Sequence, residues 1–226
     1  MLIDKVLGVF APHHCRGCGQ AGGGLCSDCF SVITDSPYSK CIICETLVTG
    51  NNLCATCRLK SPFLRVFVVG ERAGTLKRLV DDFKFNSERG QVKVIIGLLD
   101  TVVPDLPSDT IVVPIPTIAP HIRQRGFGHT ELIARLFARK RGLKYDGRLL
   151  TRITNSVQHG LTACERRKQA AETFAVNKRR VIPREILLID DIYTTGATVI
   201  AAAKLLREAG VKTVNLAIIA RQEKKS

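Results

Sequence analysis

The sequence predicts an α/β fold: a mostly parallel sheet flanked by helices in residues 61–226, preceded by a small cysteine-rich module in residues 1–60. Three observations predict it. Short all-apolar runs, above all Ile111-Val112-Val113 and Ile186-Leu187-Leu188-Ile189, read as strands buried on both faces, as in parallel sheets covered by helices. Stretches with helical periodicity lie between such runs, so strand and helix alternate along the chain. Eight of the nine cysteines fall in four Cys-x-x-Cys pairs before residue 60, which sets the first segment apart from the rest.

Residues 1–12 hold only short apolar pieces, with Asp4 near the start, so no signal-peptide core is read there. No run approaches the roughly 18 apolar residues of a membrane helix. No membrane insertion is expected, and a cytoplasmic location is. In that setting the cysteine pairs point to metal rather than disulfides. Residues 15–29 read Cys-x2-Cys-x7-Cys-x2-Cys, and residues 41–57 read Cys-x2-Cys-x9-Cys-x2-Cys. A two-residue spacing lets one turn chelate a tetrahedral zinc ion with two thiolates.

The simplest assignment is two structural Zn2+ sites in sequence: Cys15, Cys18, Cys26 and Cys29 on one, Cys41, Cys44, Cys54 and Cys57 on the other. An interleaved pairing is the alternative. Gly17 and Gly19 suit the tight turn of the first knuckle, and His13 and His14 read as bystanders. A segment this short needs its metal to fold.

Net charge is +14, of which residues 1–60 carry only +1, leaving +13 on the sheet domain. Four thiolates around zinc add negative charge to the first module, so it reads as structural or partner-docking. The basic domain implies a polyanionic ligand, either a phosphorylated small molecule or a nucleic-acid backbone. With no Trp and three Tyr, few rings are available for base stacking.

The elements follow in order. Lys60-Ser61-Pro62 reads as a hinge, and Val66 to Gly70 as a strand. Gly74 to Phe85 is a helix with Leu76, Leu79, Val80 and Phe83 on one face. Lys84 at its end is a candidate for a diphosphate, against the competing outcome of a solvated lysine. Glu88 to Val103 is a second helix, with Val92, Ile95, Ile96 and Leu99 inward. Ile111 to Pro116 is a strand ending in prolines. A loop with Pro120, His121, Arg123, Gln124, Arg125, Gly126, Phe127 and Gly128 follows it. Arg123 and Arg125 are candidates for binding diphosphate oxygens, since guanidinium groups bind phosphate bidentately. Thr130 to Arg141 is a helix with Leu132, Ile133, Leu136 and Phe137 as its stripe.

Leu149 to Val176 is irregular and basic, with Arg152, Thr154, Gln158, Arg166, Arg167 and Lys168, and reads as a lid or as a charged surface segment. Cys164, the unpaired cysteine, reads as packing or surface. Ile186 to Ile189 is the central strand, and Asp190 and Asp191 stand at its carboxyl end, where open α/β sheets bind ligands. Thr194, Thr195, Gly196, Ala197 and Thr198 form a small-residue loop that runs into a helix from Ala197 to Ala209, stopped by Gly210. Backbone N–H groups converging there hold a phosphate, and the carboxylates reach sugar hydroxyls or a hydrated metal. Thr213 to Ala220 is the last strand, and Lys224-Lys225 a frayed tail.

The stretch from Ile186 to Thr198 closely resembles the 5-phosphoribosyl 1-diphosphate (PRPP) motif of type I phosphoribosyltransferases. Ala197 stands where that motif often has Gly. Further segments resemble the ComF family of competence proteins: the Cys-x-x-Cys knuckles, Lys84-Phe85, Val113-Pro114-Ile115-Pro116, Arg123-Gln124-Arg125-Gly126-Phe127 and Glu165-Arg166-Arg167-Lys168. The resemblance covers nearly the whole chain. Departures fall at Gly128-His129, where the family usually has Asn-Gln, and at Gln169, where it often has Asn. The resemblance implies a type I phosphoribosyltransferase-like domain able to bind PRPP with Mg2+. It also implies a role in natural transformation, with contact to single-stranded DNA and a DNA helicase as partner.

Two functions are open on the sequence. In an enzyme, Asp190 and Asp191 would hold the ribose hydroxyls while a nucleophile such as a base nitrogen displaces diphosphate. In a binding module, the same pocket would sense PRPP or lodge a terminal phosphate while the basic face tracks DNA.

Overall fold

A computed structural model of the chain describes residues 14–21, 23–85, 91–118, 122–123, 127–153 and 173–223. Arg125, the Arg166-Arg167-Lys168 block, Cys164, His13, the Glu88 start of the second helix and the Lys224-Lys225 tail lie outside the described residues.

The centre is a five-stranded, all-parallel sheet. Its strands are β1 (Arg65–Glu71), β2 (Ile111–Pro114), β3 (Lys144–Tyr145), β6 (Glu185–Tyr193) and β7 (Thr213–Arg221), in the order β1-β7-β6-β2-β3. A small antiparallel pair, β4 (Leu150–Arg152) and β5 (Phe174–Val176), stands apart from it within the 149–176 stretch. The helices are α1 (Ser27–Thr34), α2 (Ala55–Lys60), α3 (Gly74–Phe85), α4 (Val92–Val102), α5 (His129–Lys140) and α6 (Ala197–Glu208).

Strand alternation sends side chains to two cores. On one face Phe67, Val69, Val112, Leu187, Ile189 and Ile219 pack against α3, α4 and α5. On the other, Val66, Val68, Val113, Leu188, Leu216 and Ile218 pack against α6 and the β4–β5 pair. Both faces are therefore dry, which is why these strands read as continuous apolar runs.

The cysteine-rich segment belongs to these same cores. Cys41, Ile42 and Leu53 are buried in the α6-side cluster, and Phe30 and Ile33 of α1 pack against the other. Asn51 and Asn52 close the outer edge of β1. The Val68 N–H donates to Asn52 Oδ1 at 2.9 Å, the Val66 N–H to Asn51 Oδ1 at 3.2 Å, and the Asn52 N–H to the Val66 carbonyl at 2.9 Å. An edge strand so covered presents no row of free backbone groups. The expected hinge at Lys60-Ser61-Pro62 thus joins two segments that share buried side chains, with Phe63 only 2% exposed just after it.

Two strand ends differ from the sequence expectation. β2 stops at Pro114 rather than Pro116, with one further bond from the Ile115 N–H to the Ile189 carbonyl at 2.9 Å. β6 does not stop at Ile189 but runs to Tyr193, held by β7 as far as the pair Tyr193–Arg221. From Asp190 onward β6 therefore has a ladder neighbour on one side only, and the vacated side is where a cleft opens.

Candidate functional site

The cleft is a pocket of about 230 Å3 lined by Lys84, Ile115, Pro116, Thr117, Ile118, His129, Thr130, Arg152, Asp190, Asp191 and Thr198. It sits at the carboxyl edge of the sheet, between the end of β2, the amino end of α5 and the start of α6. That is the place where open parallel sheets bind ligands.

The two carboxylates sit differently. Asp191 pairs with Lys84, Oδ2 to Nζ at 2.7 Å, and both side chains are 15% exposed. Its Oδ1 accepts the Ile192 N–H at 2.6 Å. Asp190 Oδ1 accepts the Asp191 N–H at 2.9 Å. Burial first, then the neighbouring Asp191 charge, pushes the Asp190 carboxyl up to about 8, against the opposing pull of that N–H, Lys84 and Arg152. Asp191 thus has Lys84 as its counterion, while Asp190 beside it keeps its proton to higher pH, and both face the cleft, where hydroxyl groups can meet them.

Arg152 enters from β4. Its Nη1 donates to the Pro116 carbonyl at 3.3 Å, and its guanidinium lies 5.4 Å from the centre of the Phe174 ring. Burial lowers its pKa, and the Asp190 charge pulls the other way. The residue was visible in the sequence only as part of a basic stretch; the β4–β5 pairing brings it to the carboxylates. Among the described residues, Lys84 and Arg152 are the cations that line the pocket, whereas Arg123 is exposed and off its wall. His129, one of the departures noted above, is 1% exposed, lies within hydrogen-bond distance of the Phe83 carbonyl through Nε2 at 3.0 Å, and packs edge-on against the Phe83 ring. It fixes the end of α3, from which Lys84 projects.

Next to the acids the chain turns through Thr194, Thr195 and Gly196 into α6. Gly196 is the residue before the helix and has φ 77, and a Cβ there would sit 2.1 Å from Tyr193 Oη. Glycine is required on both counts. Having no side chain, Gly196 itself caps none of the first N–H groups of α6, the Ala197 N–H alone reaching Thr195 Oγ1, and Thr198 faces the pocket. Uncapped N–H groups at the positive end of a helix, beside threonine hydroxyls, suit a phosphate. Thr194 and Thr195 are exposed, and Ala197 opens the helix at the position where its N–H lies 3.4 Å from Thr195 Oγ1.

The cysteines form two separate groups: Cys15, Cys18, Cys26 and Cys29, and Cys41, Cys44, Cys54 and Cys57, the sulfurs of each within 4.8 Å of one another. The sequential grouping holds, and the interleaved one is excluded. A zinc ion at about 2.3 Å from four sulfurs sets them about 3.8 Å apart. The sulfur pairs Cys15–Cys26, Cys18–Cys26 and Cys44–Cys54 lie at 3.6, 3.8 and 3.6 Å. Burial raises the Cys15 thiol, but N–H groups of Cys26, Cys18 and Gly17 outweigh it and bring it to about 6. The bond to Thr46 brings Cys44 to about 6. Cys29, beside Cys26, and Cys57, by burial, are held at about 12. Each group thus pairs a thiol that ionises early with one that ionises late, and its four sulfurs could hold a dication. His14 is exposed, with Nδ1 at 3.0 Å from the Gly19 carbonyl, and is not one of the ligating set.

A parallel α/β sheet with an acid pair and a phosphate-type loop on one strand end defines a phosphoribosyltransferase-type domain, and the phosphoribosyl transferase domain family matches residues 140–226. The chain is 30% identical to competence protein F of Haemophilus influenzae over 222 residues, covering 92% of this chain and 95% of that protein. It is 30% identical to DNA utilization protein YhgH of Shigella flexneri over 205 residues, covering 85% and 88%. A 41-residue stretch is 58% identical to competence protein ComFC of Streptococcus pneumoniae, 18% of this chain and 19% of that one. The chain belongs to the ComF family of competence proteins. Among the described residues, no helix is long and apolar enough to cross a membrane.

Proposed function

We propose that the pocket binds PRPP with Mg2+ and that the protein acts in DNA uptake. The observation that carries the reading is the placement of Asp190 and Asp191 beside the uncapped amino end of α6, a sugar-hydroxyl site next to a phosphate site. The 5-phosphate would take the N–H groups and hydroxyls of Thr194 to Thr198. The ribose hydroxyls would donate to the acids and take the place of Lys84 at Asp191. Lys84 and Arg152 would then face the diphosphate, with Arg123 and Arg125 from the preceding loop. Mg2+, when bound, would lie on the side of Asp190 and Asp191 and would offset the charge of the diphosphate. Zn2+ would fill both cysteine groups as a structural ion.

The uptake role draws on the names of the relatives, a competence protein and a DNA utilization protein. The +13 carried beyond residue 60 supports contact with single-stranded DNA along its backbone. A DNA helicase of the same process is the partner that fits this role. Turnover is the second reading, and the Asp190 carboxyl favours it. A group held at about 8 within a cleft is poised for acid–base work near neutral pH.

Thermal melting tests the binding reading. PRPP with Mg2+ at a hundredfold excess over its Kd should add about 2.7 kcal/mol and raise the melting temperature. No rise at millimolar PRPP contradicts it. Diphosphate release on adding nucleobases or DNA then separates an enzyme from a sensor.

A further inference from the structure

An ion pair ties the second cysteine group to the phosphate loop. Glu45 directly follows Cys44 and has φ 66, the only positive φ at a non-glycine position among the described residues. Its N–H donates to the Cys41 carbonyl at 2.8 Å, closing the knuckle turn. In the first group the same place, after Cys18, belongs to Gly19, with φ 79. The turn needs the left-handed conformation, which glycine adopts freely and glutamate does not. An observed strain of this kind points to a task for the side chain.

That side chain meets Arg221, the last residue of β7. Glu45 Oε1 accepts from Arg221 Nη2 at 3.0 Å, and the arginine side chain is 3% exposed. Arg221 Nη1 donates to the Thr194 carbonyl at 2.8 Å, to the Tyr193 carbonyl at 3.3 Å and to the Gln222 carbonyl. The guanidinium lies 5.0 Å from the centre of the Tyr193 ring, the ring whose hydroxyl fills the space beside Gly196. One buried cation therefore grips the two residues that open the phosphate loop, and Glu45 is the carboxylate that pairs with it among the described residues. A buried charge without its partner is costly, so losing Glu45 would release the grip. The first cysteine group makes a different attachment. Arg16 pairs with Asp82 at 2.9 Å, and Arg78 of α3 donates to the carbonyls of Arg16 and Gly17.

We propose that Glu45 and Arg221 are positioning residues for the phosphate loop. Metal in the second group, by fixing the Cys41–Cys44 turn that holds Glu45, sets the order of residues 193–196 and so the affinity for a sugar phosphate. The ligand rests on the reading above; the coupling of knuckle to loop does not.

Hydrogen exchange on the full chain, purified with zinc, tests this without any ligand. Glu45→Gln should speed exchange in residues 194–198 about tenfold while zinc content and exchange in α4 stay as in wild type. Glu45→Gly relieves the turn, so it should melt no lower than Glu45→Gln yet loosen the loop as much. Cys44→Ser should loosen the loop, and Cys18→Ser should not. PRPP affinity should fall about tenfold in both Glu45 variants. If the Cys44 variant does not fold, the Glu45 pair decides. Loop exchange unchanged in both Glu45 variants overturns the proposal, as does equal loosening by the two cysteine variants. A wild type that binds no PRPP while the loop responds as stated overturns the ligand and leaves the coupling standing.

Discussion

At the residue scale the acid pair sets the behaviour of the pocket. Asp190 is held at about 8 in the folded chain against a usual value of 3.8. Between those two values the folded state binds more protons at this group than the unfolded one, so its contribution to stability falls as pH rises from 4 to 8. Asparagine has no charge to hold. Asp190→Asn should therefore melt above wild type at pH 8.5, with the gap closing towards pH 4, and should lose PRPP binding. Thermal melts across that range check it, and a wild type that gains on the variant as pH rises contradicts it. Gly196→Ala meets both the positive φ and the Tyr193 hydroxyl. It should cost about 1–2 kcal/mol from the backbone conformation alone, read by denaturant unfolding, and weaken phosphate binding. Both acids and the loop were legible because each lies within one continuous stretch. Arg152 was not, since it arrives from a different strand pair, and neither was Arg221. Its only mark in the sequence is a charge that ends the apolar run Leu216 to Ala220.

At the element scale the strands and long helices follow from periodicity, while the short pieces follow from something periodicity does not record. α1 and α2 each begin just after a cysteine, Cys26 and Cys54, and contain the next, so the knuckles set where they start. The extension of β6 to Tyr193 depends on β7 holding one edge, which no local pattern announces. The stretch from Leu149 to Val176, expected as a lid or a charged surface segment, begins and ends as β4 and β5, which place Arg152 at the pocket; residues 154–172 lie outside the described ones. Two zinc ions per chain are expected by metal analysis of freshly reduced protein. Because Cys41 and Ile42 are buried with the sheet, chelation should lower one cooperative unfolding transition rather than remove a separate early one. Two independent transitions would mean that the knuckles fold apart from the sheet.

At the scale of the whole molecule, two faces of one sheet are each covered partly by helices and partly by a cysteine knuckle, so the division at residue 60 is a division of sequence more than of packing. Composition could separate the segments but not dock them, because the docking runs through Asn52, Phe30 and Ile42, which look like ordinary loop and helix residues. The charge distribution is a property of the same scale. Affinity for single-stranded DNA should fall steeply between 50 and 200 mM salt, in proportion to the phosphates neutralised, and a salt-independent affinity contradicts backbone binding. The central claim, a PRPP pocket at the carboxyl edge of the sheet, is tested most directly by calorimetric titration of PRPP with Mg2+ into wild type and into Asp190→Asn/Asp191→Asn. One site per wild-type chain and none in the double variant is the result predicted. Equal binding by both proteins, or binding by neither, would contradict it.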